Sequence, residues 1–217
     1  MKHKGIIANP NCSTIIMVMA LKPIYDLAKI KRVIVSTYQA VSGAGKEGID
    51  ELDAQVRDHS EGREMTANIL PSASAEKHYP IAFNLIPQID VFCDNLYTKE
   101  EMKMVNETKK IMEDYEMRIT ATTIRVPVYR SHSESVNIEL EKEVDLGAMR
   151  EALAKFPGVT VQDDPSKQEY PMPLYTSEKD DVYVGRLRRD ESCEKSYNIW
   201  VVAVSYTHLT LPTNSRV

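Results

Sequence analysis

The sequence predicts an α/β (α+β) fold in which helices flank one mixed, largely antiparallel sheet. Three observations predict it. Apolar and polar residues alternate over 118–128 and 135–143, where Val136, Ile138 and Leu140 share one side and Asn137, Glu139 and Glu141 the other, the period of a half-buried strand. Segments with apolar residues at helical spacing lie around these stretches, Leu146, Met149 and Leu153 among them. A β-branched run over 32–38 feeds the small-residue turn Gly43-Ala44-Gly45 ahead of a polar helix.

In chain order, a helix is expected over 13–21, stopped before Pro23, whose ring removes a donor and clashes with the preceding turn; a short second piece reaches Ala28. After the strand at 32–38 comes a helix over 43–56. Residues 60–95 are rich in Pro, Ser and Ala without a strong period, and predict a long ordered loop across the domain surface. A helix over 99–115 precedes the two alternating strands. Another over 144–155 ends at Pro157-Gly158. Further strands are expected over 159–162, 182–188 and 197–203.

Composition bounds the function. A chain of 217 residues that is 42% hydrophobic can bury one sizeable core, and residues 1–203 are expected to form a single domain. Residues 204–217, including Ser205-Tyr206-Thr207-His208-Leu209-Thr210-Leu211-Pro212, lack period and charge and read as an aberrant, non-native tail. No run of about 18 apolar residues exists, and Met1-Lys2-His3-Lys4 leads into no signal-peptide core, so a cytoplasmic protein without a membrane partner is expected. The net charge of −5 argues against general nucleic-acid binding. Cys12, Cys93 and Cys193 form no CxxC pair, so neither a metal site nor a disulfide framework is expected.

The chemistry-bearing residues fall in a few segments. Cys12, in Asn9-Pro10-Asn11-Cys12-Ser13-Thr14, sits at an expected helix start, where free N–H groups and the helix dipole favour the thiolate. Ser36-Thr37-Tyr38-Gln39-Ala40-Val41-Ser42-Gly43-Ala44-Gly45 ends in a turn that a ligand can approach closely. Thr123-Ile124-Arg125-Val126-Pro127-Val128-Tyr129-Arg130-Ser131-His132-Ser133-Glu134 delivers an Arg able to clamp a carboxylate and a His able to act as general base. Glu107 and Lys110, three apart beside an apolar side marked by Met104 and Ile111, fit a solvated ion pair by spacing alone. His3, His59, His78 and His208 read as surface or terminal histidines, and Cys93 and Cys193 as packing or surface thiols. Arg186, Arg188 and Arg189 form a basic cluster expected to pair with acidic neighbours or a second subunit.

Together these motifs, in this order, resemble aspartate-semialdehyde dehydrogenase from about Lys4 to Ala203. The resemblance implies a sheet like that of the catalytic domain of the glyceraldehyde-3-phosphate-dehydrogenase-like superfamily. It also implies NADP(H)-dependent reductive dephosphorylation of L-4-aspartyl phosphate to aspartate semialdehyde through a Cys12 thioester. In that family His132 would move protons, Gln39 would orient the acyl group, and Asn11 would stabilise the oxyanion. Arg125 would bind the substrate α-carboxylate, Glu107 its ammonium and Lys110 the phosphate, while Ser42 and Gly43 would touch the nicotinamide. Homodimerisation through the sheet is implied too. No Gly-x-Gly-x-x-Gly loop precedes Cys12, so the chain is expected to be the catalytic and dimerisation half without the NADP-binding domain. Two alternatives are an inactive fragment that at most dimerises, and N-acetyl-gamma-glutamyl-phosphate reductase, whose Cys is flanked by Gly and Tyr where this chain has Asn11 and Ser13.

Overall fold

Helix α1 (Cys12–Leu27) is apolar around most of its circumference, and the rest of the fold covers it. Ile16, Met17, Ala20, Leu21 and Ile24 are all buried in the main core. Truncating any one of the larger of them to alanine would cost about 2–5 kcal/mol. The helix runs unbroken through Pro23, where the sequence predicts a stop. Pro23 is itself buried between Leu21 and Ile24, and this packing outweighs the lost hydrogen bond and the clash, together worth about 3 kcal/mol.

The computed structural model describes residues 9–204. After α1 come strand β1 (Ile30–Gln39), a 3₁₀ turn (Val41–Ala44), helix α2 (Gly45–Ser60), helix α3 (Lys99–Ile111) and strands β2 (Arg118–Arg125) and β3 (His132–Leu140). Helix α4 (Leu146–Lys155), strand β4 (Val159–Val161), the short helix α5 (Pro173–Thr176) and strands β5 (Val182–Arg189) and β6 (Ser196–Ala203) follow within the described residues. The expected tail lies outside the described residues, apart from Val204.

The six strands form one mixed sheet in the order β2-β1-β3-β6-β5-β4. The β1–β3, β3–β6 and β5–β6 pairs are antiparallel, while β1–β2 and β4–β5 are parallel. The predicted class holds. Helix α1 packs against both α3 and α4 and touches β1, β3, β5 and β6, so these three helices form a layer on one sheet face. The opposite face carries the half-exposed Ile34, Ser36, Tyr38 and Trp200 and the exposed Ser135.

Some boundaries differ from the expected ones for identifiable reasons. Strand β2 stops at Arg125 because Pro127 cannot donate to a ladder; the bend beyond it instead pairs with the 3₁₀ turn, Val41 N–H donating to Val128 and Ser42 N–H to Tyr129. Strand β3 starts at His132 rather than at 135, because His132, Ser133 and Glu134 are all buried and show no alternation. Helix α3 ends at Ile111, ahead of a left-handed Glu113 (φ 54°), not at 115. Residues 61–97 hold no helix or strand, as expected, but they are not merely superficial. Leu70, Ile81, Ala82 and Ile86 form a second apolar cluster with Val41 and Leu52. Among the described residues no helix is long and apolar enough to cross a membrane.

Candidate active site

The first turn of α1 and the first residue of β3 meet at one point. Asn11 caps α1, its Oδ1 accepting the Thr14 N–H at 3.0 Å, and this places Cys12 as the first helical residue. Ser131, left-handed at φ 69°, turns the chain into β3 and presents His132 to it. Cys12 Sγ lies 3.5 Å from His132 Nε2. On the other side of the ring, the Ala40 N–H donates to Nδ1 at 3.0 Å. An acceptor at Nδ1 leaves the proton of a neutral imidazole on Nε2, so at rest His132 is a donor to the sulfur and not a base for the thiol.

Both groups are neutral at rest. Burial pushes His132 down to about 3, and the Arg125 charge adds to the effect. Cys12 is pushed up to about 11, first by burial and then by Glu100, with Glu134 adding to it. The Ser13 N–H and the Arg125 charge act in the opposite direction, as the helix start predicts, and are outweighed. The resting group is therefore a thiol, where the sequence alone predicts a thiolate; position at a helix start does not reveal how far the neighbouring elements desolvate a half-buried sulfur.

One backbone unit holds two of the sequence-predicted residues. The Ala40 carbonyl accepts from Arg125 Nη1 at 2.7 Å, while its N–H holds His132. Arg125 ends β2 and is buried. Gly43, in the 3₁₀ turn, lies against the pair: a Cβ there would come within 2.6 Å of Arg125 Nη1 and 3.4 Å of His132 Cε1. Ser42 beside it is buried.

Helix α3 grips Asn11 from above. Glu107 Oε2 accepts the Asn11 backbone N–H at 2.7 Å, and Glu100 Oε1 accepts Asn11 Nδ2 at 2.8 Å. Gln39 Nε2 reaches the same Glu100 oxygen at 3.2 Å and Ser13 Oγ at 2.6 Å. Lys110 is exposed one turn beyond Glu107, and its ammonium makes no ion pair with a described residue. Met104 is in the core as expected, whereas Ile111 is 39% exposed. The structure thus gathers Cys12, His132, Asn11, Gln39, Arg125, Glu107 and Gly43, with Ser42 adjoining, and leaves Lys110 at the rim.

Two acidic residues complete the surroundings without having been singled out from sequence. Glu100 lies seven residues before Glu107, two turns along the same face, a spacing that could have revealed it. Glu134 shares the His132 side of β3 and is fully buried; among the described residues neither carboxylate oxygen has a hydrogen-bond partner, nor does the hydroxyl of Thr37, which faces it across the β1–β3 ladder. Burial alone holds its carboxyl well above the usual range.

Known proteins resemble this chain in sequence and fold. A family model described as semialdehyde dehydrogenase, dimerisation domain, matches residues 21–203. Aspartate-semialdehyde dehydrogenase of Aquifex aeolicus is 54% identical over 202 residues, which are 93% of this chain and 58% of the relative. That of Bacillus subtilis is 51% identical over 203 residues, 93% of this chain and 59% of the relative. The structure of aspartate semialdehyde dehydrogenase II from Vibrio cholerae, complexed with ASA, matches with a TM-score of 0.85 at 45% identity, over 92% of this chain and 56% of that one. The chain spans less than two thirds of the length of these relatives. By sequence and by fold, the chain belongs to the aspartate-semialdehyde dehydrogenase family, of which it carries the dimerisation domain.

Proposed function

We propose that this chain performs the acyl-transfer chemistry of aspartate-semialdehyde dehydrogenase, as the catalytic and dimerisation half of an enzyme whose dinucleotide-binding domain lies outside this sequence. The 3.5 Å approach of Cys12 Sγ to an imidazole whose Nε2 proton faces it carries the reading. The Cys12 sulfur attacks the acyl carbon of L-4-aspartyl phosphate; a C–S bond forms, the C–O bond to phosphate breaks, and inorganic phosphate leaves with the thiol proton. Arg125 binds the α-carboxylate and Glu107 the ammonium, while Lys110, at the rim, meets the phosphate. His132 donates from Nε2 to the developing oxygen and later to the sulfur, and the Cys12 N–H at the start of α1 supports the same oxygen together with Asn11.

The residues present fit the nicotinamide end of NADP(H). Gly43 is exposed, and its lack of a side chain lets Arg125 and His132 pack against the turn; the solvent side of this backbone, with Ser42 adjoining, is where the nicotinamide would lie. When bound there, the cofactor supplies the hydride that brings the acyl group to the aldehyde. The product, L-aspartate 4-semialdehyde, belongs to the biosynthesis of lysine, threonine, methionine and diaminopimelate, as the family likeness implies. Two copies pair through the open sheet face.

The acyl-transfer half needs no cofactor and tests the reading directly. Incubated with L-4-aspartyl phosphate, the chain should gain one aspartyl group on the Cys12 peptide by mass spectrometry, Cys12→Ser should gain none, and His132→Ala should gain it at least about tenfold more slowly. A folded protein that stays unacylated would sink the proposal.

A further inference from the structure

The carboxylate of Glu100 meets both amide side chains of the site, and a carboxylate can only accept. Each amide must therefore turn its NH₂ group towards it. Gln39 gives one amide hydrogen to Glu100 and the other to Ser13 Oγ, so only its Oε1 is left to offer. Asn11 has its Oδ1 occupied by the Thr14 N–H and, at 3.3 Å, by the Thr14 hydroxyl, and gives one hydrogen of Nδ2 to Glu100, so one N–H remains. The second Glu100 oxygen is 3.4 Å from Lys103 Nζ, which also lies 3.3 Å from Asp90 in the long loop. Lys103 thus pairs with the buried Glu100 side chain and ties it to the loop.

We propose that Glu100 is a positioning residue: by accepting from both amides it obliges Gln39 to offer a substrate only a carbonyl acceptor, and Asn11 only an N–H donor. The inference rests on the reading of the Cys12 cluster as an acyl-transfer site. There the two roles are complementary. An acceptor at Gln39 suits the ammonium of an amino-acid acyl phosphate, and a donor at Asn11 suits the oxygen that gains charge at the acyl carbon. The same carboxylate acts on the nucleophile. Cys12 is faced by Glu100 from α3, by Glu134 and His132 from β3 and by Arg125 from β2, while Glu107 of α3 holds the N–H of the neighbouring Asn11; after burial Glu100 is the largest contributor holding the thiol protonated.

A charge swap in the full chain tests this. Gln39→Glu alone sets two carboxylates against each other and should lower Tm; adding Glu100→Gln restores a donor–acceptor match and should recover more than half of the loss. Where Gln39→Glu does not fold, folding of the double variant is the same readout. The second measurement is alkylation of the Cys12 peptide by iodoacetamide against pH, resolved by mass spectrometry from Cys93 and Cys193. In Glu100→Gln the midpoint should move to lower pH, with alkylation below the midpoint faster by about threefold per pKa unit, since greater thiolate population is partly offset by weaker nucleophilicity. Additive losses of Tm in the swap, a double variant that does not fold, or an unmoved midpoint would overturn the proposal. Failure of the acyl-transfer reading is separate: Cys12 would then resist the acyl phosphate while the swap still rescued.

Discussion

Glu134 stands on the same side of β3 as His132, fully buried, with no donor for either oxygen among the described residues, and the cost of that arrangement depends on pH. Its carboxyl is held well above the ordinary 4.5 by burial, so the native state keeps a proton that the unfolded chain releases. Between those two values the native state binds more protons, and stability falls as pH rises. Glu134→Gln keeps the shape and has no proton to lose. Its Tm should match the parent near pH 4 and exceed it increasingly up to pH 8; equal Tm values at pH 8 would show that Glu134 is ionised and partnered in the native protein. Neither Glu134 nor Glu100 is conspicuous in the sequence, because their importance comes from partners far along the chain: Glu100 bonds to Asn11 and Gln39, which are 89 and 61 residues away. Cys12 was legible in its own short motif, and Arg125 and His132 in a second one that they share, although the resting protonation of Cys12 and His132 was not, since desolvation is set by the assembled core.

At the scale of elements, the site depends on how α3 is fixed to the sheet. Thr98 and Glu101 form a capping box at its start, with Glu101 Oε2 accepting the Thr98 N–H at 2.7 Å. The other oxygen, Oε1, accepts the Thr123 N–H of β2 at 3.0 Å, two residues before Arg125. One buried carboxylate thus satisfies two backbone donors and sets the position of the helix face that carries Glu100 and Glu107. Glu101→Ala leaves both donors buried without a partner and should destabilise the chain by about 3 kcal/mol, read as a lower denaturant midpoint at an unchanged m-value. A loss under about 1 kcal/mol would mean that water or a shifted helix replaces both bonds. The existence and start of α3 were legible from its charge pattern and apolar spacing, but its end at Ile111 and this cross-link were not. The same holds for the long loop. Its lack of period was visible, whereas its anchoring by Gln55, whose Oε1 accepts the N–H groups of Ile81 and Ala82 and whose Nε2 donates to Thr66, required the fold.

For the molecule as a whole, the asymmetry of the sheet decides what it does with other copies. One face is closed by α1, α3 and α4; the other presents the tilted pair Tyr38 and Trp200, with ring centroids 5.7 Å apart, and the exposed Ser135. Beside them a cavity of about 340 Å³, lined by Tyr170, Met172, Arg186, Arg188 and Trp200, shares no residue with the Cys12 cluster. The alternation over 135–143 made this two-sidedness legible in β3, whereas β1 reads only as a β-branched run and its alternating exposure emerges from the fold. A half-apolar face of this kind, in a domain of a family described by its dimerisation, should pair with its copy. Dimer formation makes Tm rise with protein concentration, because the partner binds only the folded chain. Ser135→Arg places a charge at the middle of the face without touching the core, and two such charges would meet across a two-fold axis. The variant should sediment as a monomer with a Tm independent of concentration, and should keep the alkylation profile of Cys12, which lies on the other face of the sheet. A parent chain that sediments as a monomer at every concentration would show that this face alone does not drive pairing.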